Sequence, residues 1–136
     1  MTEPADPPFE ELDFVYMPSR DVPADRDYLV DVLGGTPIFA VEGMGTRVAM
    51  IALASGPPRV LVAGHLEGER PILVYRVADL TAAEAALQAR GWTSEHRLEI
   101  PHGPVTTFHT PGGHRLAIYE ARRPDAESFF AGRQDF

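Results

Sequence analysis

The chain has 136 residues, with twelve basic and twenty acidic side chains and a formal net charge of −8. A chain of this length forms one domain, or two small modules sharing a core. It contains no cysteine, lysine or asparagine, which excludes disulfides, thiolate nucleophiles, cysteine-ligated zinc, Schiff-base chemistry and a P-loop lysine.

The negative charge repels a phosphate backbone or an anionic bilayer, so neither nucleic acid nor membrane is expected as a partner. Five acids and no base lie in residues 1–13, which leaves only −3 on the rest. The start MTEPADPPFEE therefore reads as a solvated acidic arm over 1–11. It lacks the basic and apolar regions of a signal peptide, so a cytoplasmic location is expected.

The first half then reads in chain order as strand, helix and three strands. LDFVYMPS opens as a strand. Asp21 is placed to cap a helix carrying an early Pro23, with Gly34 and Gly35 closing it in the left-handed region. TPIFAVEG, TRVAMIAL and PRVLVAG follow as strands, separated by the turns EGMG and ASGPP. This first module spans 12–65, and a short linker covers 66–71.

The second half, 72–121, repeats the pattern. PILVYRV is a strand, and LTAAEAALQARG a helix with Thr81 and Glu84 in capping-box spacing and Gly91 as its stop. SEHRLEI, VTTFHT and HRLAIYE are three further strands, the last two joined by a Pro-Gly-Gly turn. The halves align at a drifting offset. Asp21-Val22 matches Asp79-Leu80 at 58, Gly34 matches Gly91 at 57, and Gly56-Pro57-Pro58-Arg59 matches Gly112-Gly113-His114-Arg115 at 56. A tail over 122–136 carries Phe129, Phe130 and Phe136, which need apolar cover from the body or from a second subunit. A homodimer is expected on that ground.

Paired βαβββ modules, TPGGHRLAIYE at 110–120 and VADLTAAEAALQARG at 77–91 together resemble the vicinal oxygen chelate superfamily. That group includes glyoxalases, bleomycin- and fosfomycin-resistance proteins and extradiol dioxygenases. The resemblance runs from Leu12 to Glu120. It implies an α+β glyoxalase/bleomycin resistance-like fold with pseudo-two-fold symmetry, and a site on a concave sheet face. The resemblance also implies a divalent metal held from the first and fourth strands of each module. Those positions fall on Phe14, Leu61, Ile72 and Ala117, none of which offers a donor atom. No metal and no cofactor are expected.

Other constellations are thin. His65, His96, His102, His109 and His114 match no zinc spacing and read as ordinary loop, hairpin and strand-end histidines. His65 is the best placed of them to reach a site mouth, with Glu67 and Glu69 as neighbouring carboxylates, or all three belong to an acidic linker. No serine sits in G-x-S-x-G.

Strand alternation puts Phe14, Tyr16, Leu61, Ile72, Arg76, Arg115, Ala117 and Tyr119 on the concave face, with Arg59, Val74 and Ala63. This mixture of aromatic, aliphatic and arginine side chains suits a small aromatic or anionic ligand, with Arg76 as the carboxylate contact. The function expected is small-molecule binding without metal. The alternative is a metal-dependent or metal-free lyase, isomerase or dioxygenase-type enzyme. No catalytic residue is identified by sequence.

Overall fold

The computed structural model describes residues 7–66 and 68–136. The internal repeat reappears in its backbone register. Strand β1 (Glu11–Pro18) pairs in parallel with β4 (Arg59–Ala63), aligning Phe14 with Arg59. Strand β5 (Ile72–Val77) pairs in parallel with β8 (Arg115–Glu120), aligning Ile72 with Arg115. Phe14 and Ile72 are 58 apart, Arg59 and Arg115 are 56 apart, so the drift read from sequence is a register relationship.

The modules meet where β1 and β5 run antiparallel, with Val15 opposite Leu73. Adding β2 (Thr36–Gly43), β3 (Thr46–Ala52), β6 (His96–Ile100) and β7 (Gly103–His109) gives one curled eight-stranded sheet, ordered β2-β3-β4-β1-β5-β8-β7-β6. The described residues form an α+β half-barrel with two α-helices.

Helix α1 (Val22–Asp27) starts where the Asp21 side chain accepts a hydrogen bond from the Ala24 amide at 3.1 Å, and it widens into a π turn over Tyr28–Val32. Val22 and Leu29 face the sheet and pack on Ala40, Ala49, Ile51, Val60 and Val62. Each such fully buried aliphatic side chain contributes on the order of 1.5–3 kcal/mol. Only Gly34 of the expected glycine pair is left-handed, at φ +78. Gly35 is needed for a different reason, because a β-carbon there would lie 2.6 Å from Ile51 Cγ2.

Helix α2 (Leu80–Gln88) departs from the expected capping box. Asp79 is its cap, accepting from the Ala82 amide at 2.9 Å. Glu84 instead accepts from the hydroxyl of fully buried Thr106 at 2.6 Å. A tertiary hydrogen bond has displaced the local one. Leu80 of α2 packs on Ile118 and Val77, with Leu87 and Phe108 beside them.

The expected acidic arm is ordered earlier than its composition suggests. Phe9 packs on Tyr75 at 5.4 Å, Glu10 donates its amide to the Arg76 carbonyl at 2.9 Å, and Glu11 opens β1. The rest of the arm, 1–6, lies outside the described residues. The tail runs along the outer edge of β2. Ala40 donates to the Arg133 carbonyl at 2.8 Å, and Asp135 donates back to the Ala40 carbonyl at 2.7 Å. Phe130 packs on Phe39, and the Phe136 ring lies under the guanidinium groups of Arg26 and Arg47. Two of the three tail phenylalanines thus find cover in their own chain, while Phe129 is 77% exposed.

Candidate functional site: a cavity beside His102

The concave core is Phe14, Phe39, Met50, Leu61, Val74, Val105, Ala117 and Tyr119, with Tyr16 and Ile72 at its margin. The parity read from sequence thus places these side chains together. A β-bulge between Leu12 and Phe14 adds one side chain that alternation does not anticipate. The extra residue lets Asp13 share the concave side with Phe14. Asp13 is only 8% exposed and accepts a short hydrogen bond from the Tyr119 hydroxyl. It also accepts from Arg76 at 3.3 Å.

Next to this pair lies a cavity of about 280 Å³, lined by Asp13, Phe14, Arg59, Arg76, His102 and Tyr119 on one side and by Pro124 and Glu127 of the tail on the other. His102 is set in the turn between β6 and β7. Arg123 clamps that turn by donating to the carbonyls of Ile100 and Pro101, and its own amide donates to the His102 carbonyl at 2.9 Å. The His102 ring lies 5.1 Å from Phe14 and 6.4 Å from Tyr119. Both of its nitrogens are buried without a hydrogen-bond partner among the described residues. Burial holds the imidazole below its ordinary value of 6.5, against the opposing pull of Glu127 and Asp13, so the ring is neutral near neutral pH.

The tyrosines respond to the same environment. Burial pushes Tyr16 up to about 12. Burial, then the bond to Asp13, raises Tyr119 further. Neither is a phenolate at physiological pH.

Of the concave residues selected by sequence, Phe14, Arg76 and Tyr119 line this cavity. Tyr16, Leu61 and Ala117 belong to the apolar cluster beneath. Ile72 and Arg115 line a separate cleft of about 630 Å³ on the second module, with His96 and His109. Arg115 donates there to the Arg70 carbonyl at 3.0 Å. Arg76 is ringed by carboxylates, with Glu11 and Asp13 at 3.3 Å and Glu10 at 3.7 Å. Arg59 meets Glu127 at 3.4 Å.

His65 does not line this cavity; it is exposed, and its Nδ1 lies 3.2 Å from the Thr46 hydroxyl. Glu67 lies outside the described residues, and Glu69 pairs with Arg20, both over 80% exposed. That pair borders a surface cleft of about 560 Å³. Such solvated charges make a weak recognition site, so the smaller His102 cavity is the better candidate.

No family model matches the chain, and no curated protein matches it. Solved structures do. Methylmalonyl-CoA epimerase from Mycobacterium tuberculosis is 19% identical over 91% of this chain and 96% of its own, with a TM-score of 0.75. A hypothetical protein from Bacillus halodurans is 11% identical over 83% and 95%, at 0.70. A single-residue variant of Streptomyces coelicolor methylmalonyl-CoA epimerase, in complex with 2-nitronate-propionyl-CoA, is 14% identical over 85% and 96%, at 0.67.

The fold is that of the vicinal oxygen chelate proteins. At these identities the likeness is one of architecture, and function has to come from the site. The positions that the sequence resemblance assigns to a metal are Phe14, Leu61, Ile72 and Ala117. Their concave side chains carry no donor atom and pack as hydrocarbon. Among the described residues no group of three or more histidine, aspartate or glutamate side chains is placed to hold an ion. The donor set does not fit a divalent metal. No helix among the described residues is long and apolar enough to cross a membrane.

Proposed function

We propose that the protein binds a small organic molecule in the cavity beside His102, without a metal ion. The observation that carries this reading is His102 itself, which lines the cavity and whose two ring nitrogens are buried without a hydrogen-bond partner among the described residues. Buried polar groups are almost always hydrogen-bonded, so an exception beside a cavity calls for a partner, and a ligand would supply it. Aromatic walls from Phe14 and Tyr119 support a planar ligand. The anionic ligand expected from sequence has less support, because Arg76 and Arg59 already face carboxylates. The test is native mass spectrometry of the protein purified from cells. A bound organic species is expected on the wild type and lost on His102→Phe, and a wild type that carries none contradicts the reading.

A second reading, metal-free acid–base catalysis, is favoured by the neutral state of His102, which leaves one nitrogen able to take a proton. It differs in requiring turnover of the bound species, and turnover must vanish in His102→Phe. Assembly as a homodimer is supported in the tail by exposed Phe129 alone. A monomer mass in light scattering removes it. A cytoplasmic setting agrees with a chain that has no cysteine.

A further inference from the structure

We infer that the His102 cavity selects an uncharged planar molecule carrying both a hydrogen-bond donor and an acceptor, and rejects an anion of the same shape. This rests on the binding reading above and narrows its ligand.

The charges that face the cavity come from β1, β4, β5 and the tail, and most are already committed. Asp13 on β1 holds the Tyr119 hydroxyl and Arg76. Arg76 on β5 has Glu10 and Glu11 as further partners. Arg59 at the start of β4 meets Glu127 of the tail, and Arg123 is spent on Glu99 and the β6–β7 turn. Around the two arginines on the cavity wall stand four carboxylates: Glu10, Glu11, Asp13 and Glu127. An incoming carboxylate would have to displace one of these from its arginine and would meet the field of the others. The same charges raise no bar to a cation, because the four carboxylates outnumber the two arginines.

Arg59 Nη1 makes no hydrogen bond but is ion-paired with Glu127, whereas the imidazole nitrogens have neither kind of partner among the described residues. A neutral imidazole presents one N–H donor and one bare nitrogen acceptor, so its complement is a ligand with one acceptor and one donor. The Tyr119 hydroxyl has given its one donor to Asp13 and offers at most an acceptor. Phe14 and Tyr119, 5.7 Å apart, add the apolar wall that a flat ring requires. A volume of about 280 Å³ lies at the small end for ligand sites and suits one ring with a short substituent.

Two shape-matched probes separate the neutral ligand from the anion: benzamide and benzoate. Each is titrated into the intact protein near neutral pH while the His102 ring resonances are followed by NMR. Benzamide is expected to shift them with a dissociation constant at least about tenfold below that of benzoate, a difference of about 1.4 kcal/mol. His102→Gln, which keeps a donor and an acceptor, should retain benzamide binding within a few-fold, and His102→Phe should lose it. If His102→Phe fails to fold, the probe series on the wild type and His102→Gln decides alone. Binding of benzoate at His102 as tight as that of benzamide, or tighter, overturns the charge inference and leaves the cavity reading in place. No shift of His102, Phe14 or Tyr119 with any probe at millimolar concentration overturns both.

Discussion

Tyr119 donates its hydroxyl proton to Asp13, a residue 106 positions earlier in the chain, across the seam between the two modules. The bond joins β8 of the second module to the bulged start of β1 in the first. With Arg76 on the other side, Asp13 is a buried carboxylate satisfied from two directions.

Tyr119→Phe removes the donor while leaving Asp13 buried. A loss of about 1.5–3 kcal/mol is expected, the range for a hydrogen bond to a charged group. Arg76→Ala should cost less, roughly 1 kcal/mol, because that side chain is about one-third exposed and its pairings are screened by water. The two changes share Asp13, so the double variant should depart from additivity. Urea unfolding of the four proteins measures the cycle.

The buried hydroxyl of Thr106 makes a similar case in the second module. Thr106→Val keeps the shape and removes the proton that Glu84 accepts, leaving Arg97 at 3.8 Å as its remaining ion-pair contact. A loss of about 1–2 kcal/mol is expected in the same unfolding measurement.

Gly103 determines whether the His102 turn can form. A β-carbon there would lie 2.0 Å from the Glu120 carbonyl oxygen, a main-chain atom that cannot swing aside. Gly103→Ala should destabilise by at least about 2 kcal/mol and shift the His102 ring resonances, because β7 must move away from β8.

His102 also makes stability depend on pH. Its folded-state value lies below the ordinary 6.5, so between those two values the unfolded chain binds the extra proton. Stability should therefore fall as pH drops below 6.5, until the folded value is reached. His102→Phe should flatten this part of the profile relative to wild type, as read by thermal melts across that range. An unchanged slope would place His102 in water.

The repeat, the helices and the inward parity of the strands were legible because each follows from local chemistry: an aspartate cap, a left-handed glycine, a period of two. The site was legible only in part. Asp13 sits at a bulge, and one inserted residue reverses the side that alternation assigns. His102 lies in a turn, where no periodicity applies, and its importance comes from contacts with Arg123 and the tail that are distant in topology. Arg76 lines the cavity, and its carboxylate partners Glu10 and Glu11 lie in a segment whose composition reads as solvated arm. The bulge could have been suspected from a polar Asp13 directly beside Phe14 in an otherwise apolar strand.

The most direct single test is a crystal structure of the protein as purified from cells. Density for a small organic molecule is expected against the His102 ring, between Phe14 and the tail, with hydrocarbon and no ion at Phe14, Leu61, Ile72 and Ala117. A divalent ion held by side chains on the concave face, or a ligand seated elsewhere with the His102 nitrogens bonded to protein groups, would contradict it.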